Sequence, residues 1–278
     1  MAVDENFAMI PALLEMAVKS DLQNGFTPCA VVASIGTTGS TAADPIAEIG
    51  KICEHYNIWL HVDAAFAGTA FLLPEMRHFA AGLEYADSYV FNPHKWMFTN
   101  FDASAYFVRD PELLIQTFEI LPEYLKTRTR GQVNDYRDWG VALGRRFRAL
   151  KLWFVIRSFG IEGLSEKIRQ HIAFAGWLKE KIIEHPDFEL MAPVNFSLVC
   201  FRLKPDGLTD KDDIDKLNSS LLQKLNESGK LYLTHTRLNG AFVLRIVTAQ
   251  TYTTREHVEK AWDIILQTST EISGQVSG

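Results

Sequence analysis

Apolar and polar positions change their period several times along the first half of the chain, and each change marks a predicted element. Apolar side chains at helical spacing predict a helix over 7–20. Short apolar runs rich in β-branched or aromatic residues, bounded by turn residues, predict strands at 29–35, 58–63, 87–92 and 104–110.

Between these strands the pattern returns to helical spacing. Asp44 and Pro45 predict an N-cap and a first-turn proline for a helix that runs to about Tyr56. Another helical stretch is predicted around Glu75–Leu83. Strands separated by helices at this spacing favour right-handed strand–helix–strand units in a mostly parallel sheet.

The second half of the chain has a different organisation. It begins with a polar segment, 119–136, which predicts an exposed mobile loop, followed by a long helix over 141–160 that ends at Gly160. Beyond it, helices are predicted at 164–184, at 210–226 and from about Thr254, with strands at about 188–193, 196–203, 230–237 and 241–248. The predicted fold class is therefore α/β, with a large domain over 1–160 and a small α+β domain over 161–278.

Composition narrows the class of protein. The formal net charge is −6, and 47% of the residues are hydrophobic and 22% charged, as in ordinary globular proteins. A negative chain is not expected to bind a phosphate backbone. From Lys126 to Lys151 there are eight Lys or Arg against two acids. A solvated loop and helix face is favoured there over a nucleic-acid patch, and a third interpretation places some of these arginines at an anion site or a subunit interface.

The three cysteines and the N-terminal sequence indicate the cellular compartment of the protein. Cys29, Cys53 and Cys200 are few, odd in number and far apart, which favours a reducing cytoplasm over a disulfide framework. The first sixteen residues carry three acids and no basic region, unlike a signal peptide. The longest apolar run, "AAFAGTAFLLP", is too short to span a bilayer. We therefore expect a cytoplasmic protein without a membrane partner.

Polar side chains follow three successive predicted strands. The first strand is followed by Gly36-Thr37-Thr38-Gly39, the second ends in Asp63-Ala64-Ala65, and the third is followed by Asn92-Pro93-His94-Lys95. Each motif alone is most often a turn or a helix cap. Ligands bind outside the carboxyl ends of strands in open parallel sheets, so the coincidence on one edge predicts a binding site.

The most unusual group at this edge is Lys95, which sits among aromatic residues in "YVFNPHKWMFTNFD". A desolvated lysine is nucleophilic and can form an imine with an aldehyde, which pyridoxal phosphate supplies. The pyridine nitrogen of that cofactor needs an anionic partner, and Asp63 is placed to be one. Ala65, two residues on, lies on the same side of an extended chain and leaves room for a flat ring. Thr38 and Asn92 can donate hydrogen bonds to the ring or the phosphate.

The motifs that carry this chemistry also carry a family resemblance. "HVDAAFAG" followed by "FNPHKW" resembles the group II pyridoxal-phosphate-dependent amino-acid decarboxylases, in particular the aromatic-L-amino-acid (dopa/tyrosine/tryptophan) branch. The resemblance continues through "NFDASA", "YLKT", "DYRDWGVALGRRFRALKLWFVIRSFG" and "LVCFRLK" to "FVLRI". Trp96 after the lysine is similar to the aromatic branch, whereas the glutamate branch usually has Met there.

The resemblance implies a fold, a reaction and roles for individual residues. It implies part of the fold-type I large domain and decarboxylation of an aromatic L-amino acid to its amine and CO2 through a Lys95 aldimine and a quinonoid intermediate. It implies that Asp63 binds the pyridine nitrogen of the cofactor. It also implies that Tyr124 lies on a catalytic loop and returns a proton to the substrate. It further implies a homodimer. The cofactor contacts it implies are Thr38, Asp63, Asn92, His94 and Lys95, with no metal.

The same comparison implies that only the C-terminal part of such an enzyme is present. Family members carry, before the region corresponding to Asp4, a phosphate cup, a His stacked on the cofactor ring and most of the substrate pocket. The first His of this chain is His55. An inactive cofactor-binding or dimerisation remnant and a glutamate-type decarboxylase are therefore the alternatives.

Two further functions remain open from the residues alone. His61, Asp63 and His94 could form a metal site of a hydrolase, although His61 fits a core histidine better. Another pyridoxal-phosphate reaction, such as aminotransfer or desulfuration, would use the same Lys95 and Asp63. Arg245 in "FVLRIV" could bind a substrate carboxylate, but a structural ion pair is the preferred interpretation.

Overall fold

A four-stranded sheet forms the centre of the first part of the chain. The computed structural model describes residues 1–119 and 134–276. The strands are β1 (Ala30–Ser34), β2 (Trp59–Asp63), β3 (Ser88–Phe91) and β4 (Ala105–Val108), in that spatial order. The first three run parallel, and β4 pairs antiparallel with β3. The carboxyl ends of β1, β2 and β3 therefore meet at one edge of the sheet.

Helices and tight turns connect these strands. The α-helices are α1 (Pro11–Gln23), α2 (Ile46–Tyr56), α3 (Pro93–Trp96) and α4 (Pro111–Phe118). The segment predicted as one helix around Glu75–Leu83 is instead a series of 3-10 turns over Ala67–Leu72, Pro74–Ala80 and Leu83–Tyr85. Gly82, at a φ of 97° between two of these turns, interrupts any longer helix.

The predicted N-cap of α2 is wrong, and the reason is a tertiary contact. Pro45 occupies the N-cap position, without a side-chain cap. The Asp44 carboxylate instead accepts hydrogen bonds from the backbone N–H groups of Met9 and Ser34, each at 2.7 Å. Asp44 thus joins the N-terminal segment to the end of β1.

The long helix α5 (Arg148–Glu184) connects the two halves of the molecule. The predicted helix over 141–160 starts too early, because Val141, Leu143 and Phe147 are mostly exposed and have no core to pack against. At Gly160 the backbone leaves helical geometry, with a φ of 64°. This kink coincides with the predicted end of the first helix, whereas the division into domains at that residue stays a prediction.

The second part of the chain is an antiparallel sheet covered by helices. Its strands are β5 (Phe188–Leu190), β6 (Leu198–Leu203), β7 (Thr234–Leu238) and β8 (Ala241–Val247), in the order β5-β6-β8-β7. Its own helices are α6 (Lys211–Glu227) and α7 (Arg255–Val276). The Asp210 side chain caps α6 by accepting from the N–H groups of Asp212 and Asp213. A mostly parallel sheet followed by a separate α+β part confirms the predicted fold class.

The described residues form three hydrophobic cores, and α5 contributes to the two larger ones. Ile168 packs in the first core with the buried residues of β1 and β2, and Ala175 and Leu178 pack in the second core. Within the described residues, no helix is both long enough and apolar enough to cross a membrane.

Candidate functional site

The carboxyl ends of β1, β2 and β3 border a cavity of about 300 Å³, a size at the lower end of the range typical of small-molecule sites. The second sheet closes its other side. Its lining residues are Ser34, Gly36, Thr37, Thr38, Thr41, Asp63, Ala65, Phe66, Lys95, Leu198, Arg245 and Val247. Four of the residues predicted from the sequence, Thr38, Asp63, Ala65 and Lys95, therefore lie together.

Lys95 reaches the cavity from α3, a helix of one turn. Its neighbour Trp96 is fully buried and stacks on Phe66, with ring centroids 4.9 Å apart. Lys95 itself is exposed, so the prediction that its amine is buried among aromatic rings is wrong. Trp96 and Phe98 pack in or against the core, Phe101 faces solvent, and the exposed Lys95 is left accessible to a ligand.

Asp63 and Ala65 supply one wall of the cavity. Asp63 is half-buried at the end of β2, and its Oδ1 accepts from the backbone N–H of Ala65 at 2.9 Å. This bond orients the carboxylate and leaves its second oxygen available. Ala65 and the ring of Phe66 form the adjacent apolar surface. A carboxylate beside a flat apolar wall can hold a positively charged heteroaromatic ring.

The turn after β1 supplies hydroxyl groups. Gly36 has a φ of 85°, and a Cβ there would lie 2.6 Å from the Cβ of Ala67, so glycine is required. Thr37 stabilises the turn, since its Oγ1 accepts from the N–H of Ala42 at 3.0 Å. The hydroxyl of Thr38 is exposed and makes no hydrogen bond to any residue that the structure describes. Thr38 is thus the free donor of this turn.

Asn92 and His94 lie beside the site without lining the cavity. The Oδ1 of Asn92 accepts from the Ser104 hydroxyl at 2.7 Å, and its N–H donates to the Ala65 carbonyl at 2.9 Å. The Nδ1 of His94 lies 2.7 Å from the carbonyl oxygen and 3.0 Å from the N–H of Ala103. Both residues hold α3 and the end of β3 in place in this structure.

Arg245 is the cavity residue whose surroundings were predicted incorrectly. Throughout the described chain, no carboxylate lies within ion-pair distance of it, so the expected structural ion pair is absent. Its Nη1 donates to Thr234 Oγ1 at 3.2 Å and its guanidinium also interacts with the Cys200 thiol, whereas its Nε is buried with no hydrogen-bond partner among the described residues. A guanidinium with an unused donor at the cavity wall can bind an anion.

Leu198 of β6 and Val247 of β8 were missed from the sequence. Both residues close the cavity from the second sheet. Alternation along "FVLRIV" places Val247 on the same face of β8 as Arg245, a signal that could have identified Val247. The distance of Leu198 and Val247 along the chain from β1 to β3 hid the connection.

The metal hydrolase hypothesis has little geometric support. The Nδ1 of His61 contacts the Ser88 hydroxyl at 2.8 Å, and burial lowers the pKa of His61, opposed by the charge of Asp63. In the part of the chain that the structure covers, no three His, Cys, Asp or Glu side chains are grouped so as to hold a metal ion. His61 is a half-buried, hydrogen-bonded histidine of the sheet.

Most of the predicted loop over 119–136 lies in 120–133, outside the described residues. Tyr124 lies in the same range. Of the basic residues that follow, Arg146 and Arg148 bond to Asp102 at 2.6 and 3.0 Å. Lys151 donates to the carbonyl oxygens of Asn100 and Asp102. These three basic side chains thus anchor the segment before and at the start of α5 to the loop after α3.

The donor set fits pyridoxal phosphate. Lys95 offers an amine for the aldehyde, and Asp63 offers a carboxylate for the ring nitrogen. Ala65 offers a flat apolar wall for the ring, and Thr38 offers a hydroxyl group for polar substituents. The unpartnered Nε of Arg245 leaves a cationic donor for an additional anion. The arrangement accommodates both the cofactor and a carboxylate.

Comparison with known proteins gives a consistent result. Residues 1–204 match the family model described as the pyridoxal-dependent decarboxylase conserved domain. Tyrosine decarboxylase 4 of Petroselinum crispum is 43% identical over 94% of this chain and 52% of its own length. Phenylacetaldehyde synthase of a Rosa hybrid cultivar is 42% identical over 93% of this chain and 53% of its own.

A solved structure gives the same result. The crystal structure of Oryza sativa TDC with PLP and tryptamine superposes with a TM-score of 0.93 and 39% identity, covering 96% of this chain and 56% of that chain. The chain thus spans about half the length of the curated relatives it matches.

Proposed function

Since the chain belongs to the pyridoxal-dependent decarboxylase family, we propose that it forms the cofactor-holding part of an enzyme that converts an aromatic L-amino acid to its amine and CO2. The observation that carries the proposal is the convergence of Lys95, Asp63, Ala65 and Thr38 on one cavity. The tyrosine and tryptophan decarboxylases among the similar proteins support an aromatic substrate.

The cofactor supplies an aldehyde that reacts with amines and a protonated pyridine ring that withdraws electrons. Lys95 would hold the cofactor through its amine, which its exposed position leaves accessible. The second oxygen of Asp63, to which Ala65 does not donate, would keep a proton on the ring nitrogen. Because the Asp63 carboxylate is half-buried, its interaction with that charge is stronger than in water.

The remaining lining residues position the ligands. Ala65 and Phe66 would pack against the cofactor ring, and the hydroxyl of Thr38 would donate a hydrogen bond to the ring or the phosphate. Arg245 would receive the carboxylate of the amino acid, since its buried Nε has no hydrogen-bond partner among the described residues. Asn92 and His94 hold the end of β3 and the start of α3 in place, and they are proposed, on the family resemblance, to contact the cofactor as well.

Tyr124 is proposed, on the family resemblance, to deliver the proton that replaces CO2 at the substrate's Cα. A phenol remains protonated at neutral pH because its reference pKa is about 10.

We further propose that the working enzyme is a cytoplasmic homodimer. The first half of α5 carries the exposed apolar side chains of Trp153, Phe154 and Ile161, and the exposed Phe147 directly precedes it. Exposed apolar surface of this kind is typical of an interface. Sedimentation equilibrium of the protein tests this: a dimer that Trp153→Glu dissociates supports the proposal, and a monomer at all concentrations contradicts it.

The activity is tested with the 278-residue chain, alone and combined with the part of Petroselinum crispum tyrosine decarboxylase that it does not match. Pyridoxal phosphate is added, and products from L-tyrosine, L-tryptophan, L-dopa and L-glutamate are separated by chromatography. Aromatic amines from the combined sample support the proposal. Product from glutamate alone would indicate the glutamate-type alternative, and bound cofactor without any product would indicate an inactive remnant.

A further inference from the structure

We propose that His171 is a positioning residue for Lys95: its imidazole binds the indole of Trp96 and so fixes the one-turn helix that carries the amine. The proposal rests on the assignment of Lys95 as the residue that holds the cofactor. His171 lies on α5, 75 positions after Trp96 in the sequence. Nothing in its own sequence neighbourhood connects it to the cavity.

The contact between the two side chains is fully buried. Trp96 is 0% exposed and His171 is 1% exposed, and the indole Nε1 donates to the imidazole Nδ1 at 3.1 Å. An indole N–H can only donate, so Nδ1 must be unprotonated and the ring proton lies on Nε2. Without this acceptor the N–H would be buried and unsatisfied, which is costly inside a protein.

His171 is held firmly enough to act as an anchor. The Thr248 hydroxyl donates to the His171 carbonyl at 2.8 Å, and the Thr248 N–H donates to the Ser197 carbonyl at 2.8 Å. Burial lowers the pKa of His171 to about 4, helped by the charge of Lys167 and opposed by a hydrogen bond to the backbone of Gln250. The imidazole is therefore neutral at neutral pH and keeps its accepting lone pair.

The anchor reaches Lys95 because α3 cannot hold its own geometry. It has four residues and no side-chain cap, and so short a helix is unstable by itself. Its orientation depends on Trp96, which stacks on Phe66 and meets Phe196 edge-on. The ring of His171 also meets the ring of Phe98 edge-on, with centroids 5.8 Å apart. His171 therefore contacts both Trp96 and Phe98, the first and third residues after Lys95.

Four variants separate positioning from general stability. His171→Leu removes the acceptor, and His171→Asn restores an oxygen acceptor near the place of Nδ1. Trp96→Phe removes the donor but keeps an aromatic ring. Leu178→Ala, on the same helix but in the second core, is the control for a loss of packing that does not touch Trp96.

Each variant is measured in three ways on the full chain. The first is the rate at which borohydride with pyridoxal phosphate labels Lys95, quantified by peptide mass spectrometry against other lysines. The second is hydrogen exchange of the backbone over 93–98. The third is the thermal unfolding midpoint, which reports stability alone.

We expect His171→Leu to slow labelling of Lys95 about tenfold and to speed exchange over 93–98 by a similar factor, as losing a buried hydrogen bond implies. Trp96→Phe should show the same slower labelling and faster exchange. If His171→Leu does not fold, Trp96→Phe is compared with the unmodified protein in its place. His171→Asn should restore most of both signals. Leu178→Ala should lower the midpoint but leave labelling unchanged.

The proposal is overturned if His171→Leu changes only the midpoint, or if His171→Asn rescues neither signal. Failure of the proposed function is distinguishable. Labelling of the unmodified chain at lysines other than Lys95 would reject the cofactor assignment. The exchange measurement would still decide whether His171 holds α3.

Discussion

The buried His171 should make the stability of the protein depend on pH in a calculable way. Its pKa is lowered from 6.5 to about 4, mainly by burial, so the unfolded chain binds a proton that the folded chain rejects between these values. Stability is therefore complete above about pH 6.5 and falls as the pH is lowered towards 4. Each pKa unit corresponds to about 1.4 kcal/mol, so this histidine alone removes up to about 3 kcal/mol.

The test is urea denaturation of the unmodified protein and of His171→Asn from pH 7.5 to pH 4. Asparagine does not titrate, so subtracting one free energy of unfolding from the other cancels the groups that both proteins share. We expect the unmodified protein to lose about 3 kcal/mol relative to the variant over this range. A difference that stays constant with pH would show that His171 is not buried as the neutral form, and the reasoning would fail.

Three further substitutions test the proposed roles in the chain combined with the part of Petroselinum crispum tyrosine decarboxylase that it does not match. Asp63→Asn should keep some cofactor bound but lower turnover more than tenfold, about 1.4 kcal/mol; a smaller loss would remove Asp63 from its role. Tyr124→Phe should retain cofactor and substrate binding, lose the amine and shift products towards the aldehyde, as the family resemblance suggests; an unchanged amine yield and rate in single-turnover chromatography would exclude it. Arg245→Met should raise the KM for the amino acid about tenfold while pyridoxal phosphate affinity, measured by absorbance titration, stays within about twofold; the reverse pattern would place the cofactor phosphate there instead.

The parts of the fold that could be predicted from the sequence are those with a local signal. The β-branched runs that become β1 and β2 predict their own strands, and the turns after them end up at the same edge. Parallel pairing then follows from the spacing of the connections. This is why Thr38, Asp63 and Lys95 could be placed at one cavity without coordinates.

The errors arise where a distant contact overrides the local preference. Asp44 looks like an N-cap but bonds to the backbone of Met9 and Ser34 instead. The apolar spacing over 141–147 predicts a helix, but helices of this kind need a core to pack against, and these side chains have none in the described chain. Lys95 seemed to be buried because aromatic residues surround it in the sequence, whereas one turn of helix turns Trp96 inwards and the lysine outwards.

Contacts between remote segments could not be predicted at all. Arg245 was recognised as a candidate, but its lack of an ion pair is visible only once β8 is placed beside β1 to β3. The bond between Trp96 and His171 likewise joins residues whose separate neighbourhoods give no hint of each other.

The most direct test of the account is to identify the lysine that holds the cofactor. The chain is incubated with pyridoxal phosphate, reduced with borohydride, digested and mapped by mass spectrometry, with Lys95→Ala as the matched control. We expect the label on the peptide that contains Lys95, and we expect the control to lose this label while its other lysines are unchanged. Label distributed over surface lysines, equally in both proteins, would show that Lys95 does not hold the cofactor.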